Sequence, residues 1–262
     1  DFVAGAPTRD SIGRAFLLRG NPLGQLPDSA NSGGNTRITP PASADRFGDA
    51  VAAGDLNNDG DPDLLIADNN HGDEAGRVYL LDAPPSTNID LAQDAASTFT
   101  GVDNTKTGSS LAVVDSINGD DFPDLLVGAP DGAKTYVIFG RSNNELPAAP
   151  SGADVELIGM SGTDFGTAVS SAGDVNGDGA PDFMVSQSNE NGGKIFVFFG
   201  WDGPPPSDSL PAASADLILE PEDTGDFAGT WLADAGDVDG DGLTDRLVGA
   251  TGLKEKGGWA GG

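Results

Sequence analysis

The chain has 262 residues, with 42 acidic against 13 basic side chains and a formal charge of −29. That charge excludes nucleic acid and anionic membrane as partners, because both would repel it, and no apolar run approaches the roughly 20 residues that cross a bilayer. A hydrophobic fraction of 37% with 39 glycines, 18 prolines and no cysteine fits many short strands joined by turns, without disulfides.

In chain order, Asp1 opens a strand-like "DFVAGAP". The first full unit begins at Arg46 with "RFGDAVAAGD", small and apolar. An acidic loop follows, with Asp55, Asn57, Asp59, Gly60 and Asp63 at positions 1, 3, 5, 6 and 9. Next come the buried-strand pattern "DLLIAD", a glycine-led strand "GRVYLLDA", a Pro/Ser/Ala-rich excursion and a weaker fourth strand, "STFTG". The second unit carries Ser116, Asn118, Asp120, Asp121 in place of glycine, and Asp124, then "AKTYVIFG" and "DVELIG". The third has Asp174, Asn176, Asp178, Gly179 and Asp182, then "GKIFVFFG" and "DLILE". The last has Asp237, Asp239, Asp241, Gly242 and Asp245, running into "DRLVGA". The ninth-position aspartates lie 61, 58 and 63 residues apart, and Asp1 lies 62 before Asp63. A period near 60, with four short strands per unit and no convincing helix, predicts propeller blades. A parallel β-helix would need a much shorter period.

Carboxylates gathered this closely repel one another unless a cation or solvent salt neutralises them. Alternating oxygens on a curled loop suit a hard divalent ion such as Ca²⁺, and glycine at position 6 supplies the positive φ that the curl requires. An EF-hand is excluded, because its bidentate Glu at position 12 would fall on Val248. The loops hold 14 of the 35 aspartates, so a general acidic adaptation to salt stays open for the others.

Phe47-Gly48 and Phe165-Gly166, followed by the acidic loop and then by Gly128-Ala129-Pro130 or Gly5-Ala6-Pro7, resemble the FG-GAP repeats of the integrin alpha-subunit propeller. Departures are Thr107-Gly108 and Phe227-Ala228 for the first motif, and Ala67-Asp68-Asn69 and Ser186-Gln187-Ser188 for the second. The resemblance implies an all-β fold over residues 1–262: a β-propeller of four-stranded antiparallel blades whose first and last repeats are incomplete. It also implies that the acidic loop joins the first two strands of a blade and binds Ca²⁺. Side chains at positions 1, 3, 5 and 9 would be ligands, with a backbone carbonyl at position 7 from Asp61, Phe122, Ala180 and Leu243. Phe and Leu serve there only through the backbone.

The strand count is four first, five second, four third and four fourth strands, which makes three whole blades and two partial ones. By resemblance they are expected to belong to a seven-bladed ring. The function expected is a non-catalytic, calcium-stapled recognition or adhesion module, extracellular or at the cell surface. Its partner would be a protein or glycan ligand at a propeller face, or neighbouring subunits. Two other readings stay open: a propeller appended to a larger secreted hydrolase, and a subunit of a cell-surface or filament assembly. No G-x-S-x-G, H-E-x-x-H or P-loop pattern occurs. His71, the single histidine, is expected in a solvated polar turn, and Trp201, Trp231 and Trp259 fall at different repeat positions, as scattered packing.

Overall fold

A computed structural model of the chain describes residues 2–8, 12–18, 36–82, 89–188, 192–201, 203–221, 225–240 and 244–252. The period of about 60 reappears as a series of small sheets. The first holds β1 (Phe2–Ala6), β2 (Arg14–Leu18) and β3 (Thr36–Thr39). Then come β4 (Phe47–Gly54), β5 (Asp63–Asp68) and β6 (Arg77–Leu81); β7 (Ile89–Asp90) is followed by β8 (Ser97–Thr100), which completes the β4-β5-β6-β8 sheet. The next sheet is β9 (Ser110–Val114), β10 (Asp124–Ala129), β11 (Lys134–Ile138) and β12 (Val155–Ile158). After it run β13 (Val169–Gly173), β14 (Asp182–Gln187), β15 (Lys194–Phe198), β16 (Ser209–Pro211) and β17 (Leu217–Leu219), of which β13, β14, β15 and β17 form one sheet. β18 (Ala228–Gly236) and β19 (Asp245–Ala250) close the series as a hairpin. Counting antiparallel strands alone, three four-stranded units thus stand between a three-stranded and a two-stranded one, as the strand count predicts; β7 and β16 add parallel strands to the first and third sheets.

Second strands such as β5, β10 and β14 are buried along their whole length, which explains their unbroken apolar runs. The core lies between sheets. One layer joins Leu126, Val137 and Leu157 to Phe165, Phe183 and Phe196 of the next sheet, and similar layers lie between the preceding pairs. The first strands β4, β9, β13 and β18 pack in succession, with β1 against β4.

The Phe-Gly and Gly-Ala-Pro motifs meet across these junctions. A Cβ on Gly128 would lie 2.1 Å from the Gly166 carbonyl oxygen, and one on Gly5 would lie 2.0 Å from that of Gly48. The phenylalanines fill the core: Phe47 meets Tyr79 edge-on with ring centres 5.9 Å apart, and Phe165 meets Phe196 at 5.3 Å. Thr107 takes the phenylalanine position in the middle sheet, and Tyr136 there pairs with Phe99 of the preceding sheet at 5.4 Å. In the last repeat the motif is displaced by one residue from the sequence expectation. Gly229, with φ +86°, packs above Ser186 and the Lys194 carbonyl as Gly166 packs beside that of Lys134. Ala228-Gly229 is therefore the Phe-Gly equivalent, and Phe227 is 41% exposed.

The Pro/Ser/Ala-rich excursions are ordered where they are described. Each lays an extended segment along the fourth strand of the sheet before it. β7 pairs in parallel with β3, with Ile38 opposite Ile89, and β16 pairs in parallel with β12, with Leu157 opposite Leu210. In the middle excursion the Thr100 amide donates to the Ala148 carbonyl at 3.1 Å. One helical turn follows each segment, at Leu91–Asp94, Pro150–Gly152 and Ala212–Ser214.

Gly166 has φ +97°, and a Cβ there would sit 2.3 Å from the Lys134 carbonyl oxygen, whereas Gly162 has φ +86° with open space around it. Gly162→Ala is expected to cost only the backbone strain of the left-handed region, about 1 kcal/mol, and Gly166→Ala two to three times more because the carbonyl must also move. Urea-unfolding midpoints of the two variants check this order.

Candidate metal centre

The four acidic loops occupy equivalent places. They join β4 to β5, β9 to β10, β13 to β14 and β18 to β19, the first and second strands of their sheets. Two loop positions are left-handed. At position 6, Gly60 and Gly179 have φ +94° and +91°, and Asp121 takes the same region at +71°. Open space around the two glycines explains why an aspartate is accepted there, since Asp visits this region at modest cost. Position 4 is left-handed as well, at Asn58, Gly119, Gly177 and Gly240. Sequence reasoning missed that second constraint, although Asn-Gly-Gly-Gly was its visible signal.

These two reversals curl each loop around its own side-chain oxygens. In the first, the Asp59 amide donates to Asp55 Oδ1 and Asn57 Oδ1 at 3.0 and 3.2 Å, and the Gly60 amide donates to Asp55 Oδ2 at 2.8 Å. The Asp61 amide reaches Asp59 Oδ1 at 2.9 Å. The third loop repeats the pattern: the Asp178 amide binds Asp174 and Asn176 at 3.1 and 2.8 Å, and the Ala180 amide binds Asp178 at 2.8 Å. In the second loop Ser116 Oγ lies 3.0 Å from Asn118 Oδ1 and 3.2 Å from Asp120 Oδ1, and the Phe122 amide donates to Asp120 at 3.0 Å. Positions 1, 3 and 5 are thus drawn together in all three loops. In the fourth, carboxylate oxygens of Asp237, Asp239 and Asp245 all lie within 4.8 Å of one another. Asp241 and Leu243 lie outside the described residues.

Position 9 is different in kind. Asp63, Asp124 and Asp182 are fully buried, whereas Asp245 is half-buried. In every loop one of its oxygens accepts the amide of position 2: Leu56 to Asp63 at 2.9 Å, Ile117 to Asp124 at 2.8 Å, Val175 to Asp182 at 2.7 Å and Val238 to Asp245 at 2.8 Å. The second oxygen of Asp124 takes the Gly140 amide and that of Asp182 the Gly200 amide, both at 2.9 Å. The corresponding oxygen of Asp63 accepts the Asn144 side-chain amide at 2.8 Å. Burial raises the Asp124 carboxyl to about 7 and raises Asp182 as well, although the two amides on each pull the other way. A buried carboxylate of this kind calls for a compensating positive charge.

The donor set fits a hard cation: carboxylate, amide and hydroxyl oxygens, with no nitrogen or sulfur ligand at the assigned positions. His71 is elsewhere, in the turn between β5 and β6, and is not the solvated residue expected. It is buried, with Nδ1 at 3.7 Å from Asp68 Oδ2. Trp201 packs edge-on against Phe183 at 6.0 Å, and Trp231 is 72% exposed; Trp259 lies outside the described residues.

The FG-GAP repeat family matches residues 47–81, 107–143 and 165–198, three of the loop-bearing units. The chain is an FG-GAP repeat protein. It is 32% identical over 191 residues to human integrin alpha-7, which spans 70% of this chain and 15% of that relative. It is 31% identical over 212 residues to bovine phosphatidylinositol-glycan-specific phospholipase D, 71% of this chain and 24% of the relative. The chain therefore spans less than a quarter of the length of these relatives. Superposition on the Bacillus licheniformis rhamnogalacturonan lyase PL11 covers 94% of this chain and 42% of that one at a TM-score of 0.46 and 12% identity, a likeness that carries no argument. The FG-GAP repeats resemble those of the integrin alpha-subunit propeller. No helix among the described residues is long and apolar enough to cross a membrane.

A carboxyl whose folded pKa lies above its unfolded value, about 3.9 for aspartate, binds its proton more tightly in the folded chain. The metal-free protein should therefore lose stability as pH rises from about 4 through 7. Thermal melts in chelator are expected to show a falling Tm across that window, and Asp124→Asn should flatten the slope. An unchanged slope in the variant would remove Asp124 as its source.

Proposed function

We propose that this FG-GAP protein is a calcium-binding, non-catalytic recognition or adhesion module in which Ca²⁺ staples the blade hairpins. The observation that carries the reading is the recurrence of one oxygen-only arrangement in three loops, with Asp237, Asp239 and Asp245 converging at the same positions of the fourth, each loop closed by an aspartate that is wholly or half buried. The ions would be held by Asp55, Asn57, Asp59 and Asp63; by Ser116, Asn118, Asp120 and Asp124; by Asp174, Asn176, Asp178 and Asp182; and by Asp237, Asp239, Asp241 and Asp245. Backbone carbonyls of Asp61, Phe122, Ala180 and Leu243 complete the sets. Bound Ca²⁺ supplies charge neutralisation, and because it favours only the folded loop it adds about 2.7 kcal/mol per site at 100 times Kd. Ionised, metal-bound carboxylates are in the wrong state for acid catalysis, so the loops offer no general acid. Carboxylate loops of modest affinity match millimolar calcium outside cells, which supports an extracellular or cell-surface location.

The repeats belong, in this reading, to a larger ring, of seven blades by resemblance. Burial at one register position supports this. Ile38, Phe99 and Leu157 are fully buried opposite the second residue of their third strands, whereas the equivalent Leu219 is 48% exposed, with Leu217 beside it at 46% and Leu247 on β19 at 64%. An apolar face of this kind suits a further blade. The partner of the assembled propeller is a protein or glycan ligand at a face, or a neighbouring subunit. The likeness to a phospholipase D favours one second reading, a propeller that serves a hydrolase domain. A turnover assay on a protein joining both parts would test that.

Removing calcium with a chelator is expected to lower Tm by well over 5 °C, with little recovery in 0.5 M NaCl. Equal recovery by NaCl would favour simple salt adaptation over specific sites. Ligand charge further ranks the loops: four charged side chains at Asp237, three at Asp55 and Asp174, two at Ser116. Among the alanine variants of Asp59, Asp120, Asp178 and Asp241, calcium titration should find the smallest affinity loss for Asp120→Ala. A loss as large as that of Asp241→Ala would refute the charge ranking.

A further inference from the structure

The closing aspartates are linked from repeat to repeat by a chain of peptide hydrogen bonds. Leu56 donates its amide to Asp63 and accepts the Arg141 amide on its carbonyl at 3.1 Å. The adjoining Gly140 amide donates to Asp124, which also takes the Ile117 amide. The Ile117 carbonyl in turn accepts the Trp201 amide, and the adjoining Gly200 amide donates to Asp182. Close approach demands glycine at both junctions. A Cβ on Gly140 would stand 2.1 Å from the Pro123 carbonyl oxygen and 2.6 Å from that of Leu56, and one on Gly200 would stand 2.4 Å from that of Pro181.

Asn144 adds a direct link. It comes from the excursion of the second complete sheet, yet its Nδ2 holds Asp63 in the sheet before. It is 6% exposed and adopts φ +49°, a conformation that asparagine tolerates better than most residues.

We infer that Asn144 and the peptides Gly140–Arg141 and Gly200–Trp201 are positioning residues that each repeat supplies to the cation loop of the preceding one, so that neighbouring loops load as a coupled set. The inference rests on the calcium reading above. An ion that fixes one closing carboxylate also fixes the peptide between it and the preceding loop. The next ion then meets a loop whose ordering cost is already partly met. Direct repulsion between ions opposes this, and 0.15 M salt screens it.

The test follows the amide resonances of Leu56, Ile117 and Val175, one reporter per loop, as Ca²⁺ is added to the full ¹⁵N-labelled chain in 0.15 M KCl. Asn144→Gly keeps the left-handed backbone and removes the side chain that carries the donor. It should raise the calcium midpoint at Leu56 about fivefold, the worth of one hydrogen bond, and leave Val175 within error. Gly200→Ala should raise the midpoints at both Val175 and Ile117, although Gly200 lies outside the Ser116 loop. A purely structural role for Asn144 would lower Tm equally with chelator and with calcium and move no midpoint, and that result overturns the inference. So does a Gly200→Ala effect confined to Val175. If Gly200→Ala does not fold, the Leu56 midpoint in Asn144→Gly decides alone. Failure of the wild-type amides to respond to calcium would instead sink the calcium reading, and this inference with it.

Discussion

A carboxylate buried under a hairpin loop is costly unless every lone pair finds a donor and the charge finds a counter-charge. Asp124 and Asp182, at the ninth loop position, meet the first need with amides from position 2 and from just past the third strand. Strand register, loop curvature and junction glycines all follow from placing that group at the head of the second strand. The exposed oxygens of positions 1, 3 and 5 are then presented above it by two left-handed residues. The loop is shaped in advance by its own amides, which would leave a cation less of the loop to order.

The repeat motifs gain a physical meaning at the junctions between sheets. Glycine in Phe-Gly lets the backbone turn with positive φ, and glycine in Gly-Ala-Pro leaves room for the carbonyl of the following Phe-Gly. Ala67 and Ser186 replace that second glycine and still face Gly108 and Gly229, so one small partner suffices. The phenylalanine is replaceable too: Thr107 is fully buried in its place, and Phe99 from the sheet before supplies the missing ring.

Much of this was legible in the sequence because it is local. The nine-residue loops and the apolar second strands are each written within a dozen residues and the four-strand order within one repeat, and the structure gives them the expected neighbours. What escaped was long-range or low in information. Ile89, Ala148 and Leu210 occupy one structural position but share only apolar character, and their pairing with the preceding sheet has no local signature. The Asn144–Asp63 contact spans 81 residues of chain. Phe227-Ala228 looked like the motif because phenylalanine dominates the pattern, whereas the backbone requires the glycine one residue later.

The borrowed edge strands also set how the molecule would bear load. β7 lies parallel to β3 and β16 parallel to β12, so tension that draws an excursion along its own axis must shear the ladder as a unit, whereas a sideways pull opens it one bond at a time. Three sheets are clasped in this way by the next, like tiles laid with an overlap, and a tug on one blade is shared with its predecessor. Resistance to pulling would then depend on the direction of the force as well as on the number of bonds.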